Sequence, residues 1–311
     1  MATSTQQRDA FPLVIKRIST LVSLFLTVVL AATVVQANPL KNGWPQVAFS
    51  KDSTPISYEV YGAGEPTLMF VHGWSCDSRY WRMQIDQFAK KYRVVVLDLA
   101  GHGHSGLTRG RYSMRAFGED VMAVAEATNS TSTILIGHSM GGAVIAEAAR
   151  LMPERVIGLI GVDTLDNIEY SMTRAELDLM LAPMVDDFRG ESRNFVAGML
   201  LPGTDQQIRE WVLADISSAP PFVALSAMEE MLSQYITGEA ARIFDGIQAP
   251  VICVNGDLWP VDVEANRRHM RSFDVITLKD ADHFLMLDRP YAFNQALEQA
   301  VHAILRKAAT K

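Results

Sequence analysis

Gly137-His138-Ser139-Met140-Gly141-Gly142 carries the pattern G-x-S-x-G and lies where the period of the chain changes. Upstream, Ser132-Thr133-Ile134-Leu135-Ile136 is short, apolar and β-branched, which predicts a buried strand. Downstream, residues 141–151 are rich in alanine with one glutamate and one arginine, which predicts a helix. A serine between the two must turn the chain sharply, in a strained backbone conformation. The glycines two positions before and two after it remove Cβ atoms that would obstruct the passing segments. Its hydroxyl is then expected to leave the sheet edge at a helix N-terminus, where backbone N–H groups meet an anion. This is the arrangement of a nucleophile elbow.

The alternation extends in both directions. Thr67-Leu68-Met69-Phe70-Val71 and Arg93–Asp98 are apolar strand runs separated by a helix-like segment over 79–90. Met114–Thr128 predicts a helix and Val156–Val162 another strand. Near-continuous apolar strands alternating with helices mean a mostly parallel sheet with helices on both faces. Ahead of it, Val47-Ala48-Phe49 and Ile56–Val60 flank a turn and predict an antiparallel hairpin.

From Asp166 to about Gly246 the strands stop. Helix-like runs rich in Met, Leu, Glu and Arg replace them, with breaks at Pro183, Gly190, Pro202-Gly203 and Pro220-Pro221. This predicts a helical cap over the sheet's C-terminal edge. Alternation resumes with Pro250–Asp257, a helix over 264–271, the strand Val275–Leu278 and a final helix over about 290–306. The chain thus divides into an N-terminal segment (1–37), a first core part (38–164), the cap (165–246) and a second core part (247–311).

At 311 residues the chain is long enough for one large α/β domain with an insertion, or for two domains. A formal net charge of −7 argues against a nucleic-acid surface. Arg8, Lys16 and Arg17 precede an apolar run from Ile18 to Val35, which ends in Val35-Gln36-Ala37. A positive region, a hydrophobic region and a small-residue site in that order predict an export signal cleaved after Ala37. The competing reading is an uncleaved membrane anchor. Of the two cysteines, Cys253 lies in an apolar strand-like run and Cys76 in a loop after another strand; an export signal leaves a disulfide open, but both read as buried thiols.

Ser139 is a weak nucleophile without a base to take its proton. Of seven histidines, His283 is best placed, in a loop after the last strand at the same sheet edge. His138 is held beside the serine by the elbow itself. His102 and His104 form an H-x-H pair in a glycine-rich turn, but no third metal ligand is spaced to join them. An imidazole base needs an acid to orient it. Asp257 follows a strand, is preceded by glycine, and lies between serine and histidine in chain order; Asp163, at the end of the preceding strand, is the alternative.

His72-Gly73-Trp74, Asp98-Leu99-Ala100-Gly101-His102-Gly103-His104-Ser105, the serine motif, Gly256-Asp257 and Asp282-His283-Phe284 stand in an order that resembles the α/β-hydrolase fold superfamily. The His-Gly-Trp form, with Asp77 and Tyr80-Trp81 after it, is similar to the esterase, haloperoxidase-perhydrolase and lactonase branches. The resemblance implies a Ser139-His283-Asp257 triad and an oxyanion hole from the backbone N–H groups of Trp74 and Met140. It places His72, Gly73, Trp74 and His138 around the substrate. It implies no metal and no organic cofactor.

The expectation is an exported serine hydrolase acting on a small-molecule ester or lactone through an acyl-enzyme. It has no nucleic-acid partner, and a membrane contact arises only through an uncleaved N-terminus. A peptidase, a carbon–carbon bond hydrolase and a non-catalytic ligand receptor on the same fold share these motifs. Oligomeric state, acyl length and leaving group are not legible in the sequence.

Overall fold

The computed structural model describes residues 43–309. The export segment expected over 1–37 lies outside the described residues.

The hairpin forms as expected from β1 (Gln46–Phe49) and β2 (Pro55–Tyr61), paired antiparallel. Next come β3 (Thr67–Val71), a 3₁₀ turn over Ser78–Trp81, α1 (Arg82–Phe88), β4 (Arg93–Leu97), α2 (Met114–Ala127) and β5 (Thr133–His138). The chain continues through α3 (Gly141–Leu151) and β6 (Val156–Val162). Strand order is β1-β2-β4-β3-β5-β6-β7-β8, and every pair from β4 onward is parallel. β3, β5 and β7 are buried along their whole length, which is why their sequences are continuously apolar rather than alternating. β3 and β5 lie side by side at the centre of the sheet. Their C-terminal ends therefore deliver the Gly73 loop and Ser139 to one place.

Between β6 and β7 (Val251–Asn255) lie α4 (Arg174–Asp186), α5 (Phe188–Ala197), α6 (Gln206–Ile216), α7 (Pro221–Thr237) and the short α8 (Glu239–Arg242). Their starts are legible in sequence. Thr173 and Glu176 form a reciprocal capping box on α4, Asp205 accepts from the Gln207 and Ile208 N–H groups on α6, and Pro221 opens α7. Two expected breaks differ. Pro183 lies inside the last turn of α4, three residues from its end, and Gly190 lies in the first turn of α5, where the Asp187 side chain accepts its N–H. Gly190 sits at a helix start, where Asp187 supplies the acceptor its N–H lacks in the helix, whereas Pro183 removes the N–H that would reach the Leu179 carbonyl, and its helix ends three residues later.

The chain closes with α9 (Val263–His269), β8 (Phe273–Thr277), α10 (Leu285–Asp288) and α11 (Pro290–Ala309). β8 begins two residues earlier than its apolar run, because Phe273 and Asp274 pair with Val251 and Ile252. Cys76 and Cys253 are buried thiols outside any disulfide.

Candidate active site

Ser139 follows β5 directly with φ of 52°, a left-handed conformation rare for a residue with a side chain. Three hydrogen bonds hold it there. The Ser139 N–H donates to the Val162 carbonyl at 3.0 Å, and its own carbonyl accepts from Gly142 N–H and from Thr164 Oγ1, both at 2.9 Å. A Cβ on Gly137 would lie 2.3 Å from the Gly141 carbonyl oxygen, and one on Gly141 2.7 Å from that of Val71. Both glycines are therefore needed for the corner to close.

His283 reaches the same place from the loop after β8. Asp282 pins that loop: its Oδ1 accepts from Phe284 N–H at 2.8 Å and its Oδ2 from the Thr204 hydroxyl of the cap. The His283 N–H also donates to the cap carbonyl of Met199. Both Ser139 and His283 line one largely apolar cavity of about 130 Å³.

The acid beside His283 is Asp163, not Asp257. Asp163 Oδ2 lies 2.6 Å from His283 Nδ1, with both side chains buried. Its other oxygen accepts from Gly256 N–H at 2.7 Å. Asp257 instead accepts from Ala281 N–H at 3.4 Å and faces Lys279 Nζ at 3.8 Å. The correction has a geometric cause. β6 and β7 are adjacent parallel strands; Asp163 comes one residue past β6, while Asp257 comes two past β7 and turns outward. The Asp163 backbone is also left-handed, with φ of 46°, which swings its carboxylate toward the histidine loop. Directness after an uninterrupted apolar strand, a property Asp163 shares with Ser139, was the sequence signal for it.

With Nδ1 engaged by a carboxylate, His283 carries its Nδ1 proton and leaves Nε2 as the ring's basic atom. Asp166 lies close by, accepting from Asn255 Nδ2 at 3.0 Å. Burial and the charge of Asp163 push its carboxyl up to about 6. Asn255 also donates to the Thr164 carbonyl, so one amide ties the end of β7 to the loop that carries Asp163.

His138 packs its ring against that of His283, with centroids 4.7 Å apart. Its Nε2–H donates to the His283 carbonyl at 2.8 Å, and its Nδ1 is buried with no partner. Burial, with the adjacent His283 ring acting the same way, holds this imidazole well below its ordinary value, so it is neutral. It positions the His283 backbone.

Of the residues expected around substrate, Trp74 and His138 line the cavity. His72 does not. It is wholly buried behind the loop, where its Nδ1–H donates to the Gly73 carbonyl at 2.8 Å and its Nε2 accepts from Leu99 N–H at 3.0 Å. A histidine so engaged at both nitrogens fixes two loops to each other. Gly73 is a backing residue rather than a wall: a Cβ there would stand 2.8 Å from His138 Nδ1 and 3.1 Å from Ser139 Cβ. Among the described residues, neither the Trp74 nor the Met140 amide has a hydrogen-bond acceptor in the protein. The Trp74 indole is anchored instead, donating from Nε1 to the Ala224 carbonyl of α7 at 2.7 Å.

Four methionines of the cap, Met180, Met199, Met228 and Met231, line the cavity, whereas Met172 and Met184 pack in the interior. Sequence reasoning missed Cys76, Phe195 and Phe284 as walls. It also missed Trp259, whose ring meets that of His283 edge-on at 5.7 Å. Cys76, Phe195 and Trp259 carry no local motif and are brought to the site by packing; Phe284 belongs to the Asp282-His283-Phe284 stretch, but nothing in that stretch says which way its ring faces. In the H-x-H pair, His102 is buried with Nδ1–H donating to the Ala100 carbonyl, while the His104 N–H donates to Asp98 Oδ2.

The model of the alpha/beta hydrolase family matches residues 68–296. The magnesium-chelatase 30 kDa subunit of Rhodobacter capsulatus is 29% identical over 79% of this chain and 92% of its own length. The 3-oxoadipate enol-lactonase 2 of Acinetobacter baylyi is 26% identical over 78% and 91%. An esterase from Exiguobacterium antarcticum superposes with a TM-score of 0.74 at 17% identity, over 83% of this chain and all of that one. A family match that runs from β3 through the serine corner to the histidine loop leaves one conclusion: the chain belongs to the alpha/beta hydrolase family.

Proposed function

We propose that the protein is an exported serine hydrolase that cleaves a small carboxylic ester or lactone through an acyl-enzyme on Ser139. The observation that carries this reading is the buried Asp163–His283 hydrogen bond on an imidazole that shares one cavity with a serine in a left-handed corner. His283 Nε2 takes the Ser139 proton as Oγ adds to the carbonyl carbon. The Asp163 carboxylate supports the imidazolium that forms. The unpaired amides of Trp74 and Met140 meet the oxyanion; one such donor is typically worth about 3 kcal/mol of barrier. Collapse breaks the acyl–oxygen bond, and His283 returns the proton to the departing alkoxide. Water then cleaves the acyl-enzyme, with His283 again as base.

The apolar walls of the cavity favour an apolar substrate over a charged one. The enol-lactonase relative supports the cleavage of an acyl–oxygen bond. Export is inferred from Arg8, Lys16 and Arg17 ahead of the apolar run to Val35-Gln36-Ala37. The test is labelling with a fluorophosphonate probe, followed by peptide mass spectrometry and turnover of short p-nitrophenyl esters. Labelling at Ser139 and loss of both signals in Ser139→Ala are expected. Saturable binding of esters without turnover would make the protein a receptor instead. The mass of the mature N-terminus tests cleavage after Ala37.

A further inference from the structure

Two cavities meet at Ser139. The larger, about 130 Å³, has His283 and Trp74 in its wall. The smaller, about 30 Å³, is bounded by Ala143, Thr164, Tyr235 and Ile243, and neither His283 nor Trp74 reaches it. Among the described residues, Ser139 and Met231 alone face both.

We propose that the smaller cavity is the acyl subsite and the larger one takes the alcohol, so that the substrates are acetyl or propionyl esters of a bulky apolar alcohol. This rests on the serine-hydrolase reading and narrows it. Of the groups on the tetrahedral carbon, only the leaving oxygen must accept a proton from His283. That proton comes from Nε2, because Nδ1 is held by Asp163. The leaving oxygen and the carbon attached to it therefore lie where His283 is exposed, in the larger cavity. The remaining substituent, the acyl chain, has the smaller one.

Size sets the class. The smaller cavity has roughly a quarter of the room of the larger, which suits a short acyl chain in the one and a bulky alcohol in the other. Ala143 closes the smaller cavity from the first turn of α3, and Ile243, which is 1% exposed, closes it from the cap side. A lactone keeps its acyl chain and its leaving oxygen in one ring, which cannot be divided between two cavities. Open-chain esters follow as the preferred class.

The experiment measures kcat/KM of the purified protein on p-nitrophenyl esters from acetate to octanoate and on acetates of increasingly bulky alcohols. Hexanoate is expected to fall about tenfold or more below acetate, the order of an overpacking penalty, while bulky acetates are accepted. Ala143→Val should lower propionate relative to acetate, and Ile243→Ala should flatten the decline with acyl length. If Ile243→Ala does not fold, the wild-type profile and Ala143→Val decide. Hexanoate turned over as well as acetate, or a length profile unmoved by Ala143→Val, overturns the assignment. Fluorophosphonate labelling separates the two readings. Labelled Ser139 with a flat acyl profile removes the subsite alone, whereas an unlabelled protein removes the hydrolase reading and the subsite with it.

Discussion

Asp163→Asn is the sharpest test of how the site works. Both groups that touch the Asp163 carboxylate are donors: His283 Nδ1–H at 2.6 Å and Gly256 N–H at 2.7 Å. An asparagine has one acceptor oxygen and one donor nitrogen. If the oxygen turns to His283, the amide nitrogen faces the Gly256 N–H, donor against donor. If it turns to Gly256, the amide donates to Nδ1 and drives the imidazole proton to Nε2, so the ring cannot accept from Ser139. Either orientation also removes the negative charge. At 2.6 Å and an effective dielectric of about 20, the charge pair is worth at most about 6 kcal/mol to an imidazolium. Loss of most of it corresponds to a fall in kcat of about 10³- to 10⁴-fold.

Asp257→Asn should keep kcat/KM within about threefold of wild type, as a surface substitution does, because that carboxylate faces Lys279 and solvent. The assay is steady-state hydrolysis of p-nitrophenyl acetate, with circular dichroism melts to confirm folding of both variants. A folded Asp163→Asn protein that retained a tenth of its kcat, or an Asp257→Asn protein that lost a hundredfold, would refute the assignment of the acid.

Two further outcomes follow from the geometry. Gly73→Ala places a Cβ 3.1 Å from Ser139 Cβ and 2.8 Å from His138 Nδ1, so it should lower kcat by about tenfold or more through a displaced nucleophile, with labelling by the fluorophosphonate slowed in parallel. Asp166 has its pKa raised from 3.8 to about 6, so its contribution to stability is present below pH 4 and is lost as pH rises through 6. The two-unit shift amounts to about 3 kcal/mol. The neutral Asp166→Asn protein lacks that loss, so relative to wild type it should gain about this much between pH 4 and pH 8 in urea unfolding. A difference between variant and wild type that stays constant over this range would show that Asp166 is ordinary.

The serine corner was legible because its determinants are local. A β-branched run, a glycine two residues either side of Ser139 and an alanine-rich helix together permit one chain path. The hairpin, the parallel strands and the helical insertion were legible for the same reason, from period and punctuation. His283 was legible from its place after the last strand. The walls supplied by the cap were not, since nothing distinguishes Met180 or Met231, which face the cavity, from Met172 or Met184, which do not. Helical period alone does not say which neighbour a face will meet.

Unaided, the sequence determined the fold, the sharp corner at Ser139 and the loop that carries His283, because each depends on residues adjacent in the chain or on the order of strands. Only the tertiary structure decided which aspartate holds His283. Asp163 and Asp257 end neighbouring parallel strands, and both precede the histidine in the chain. What separates them is a left-handed residue after β6 and a Gly256 N–H aimed back across the gap to β6. Choosing between two side chains a strand apart takes angstroms, and those are set by how β6, β7 and the histidine loop pack together.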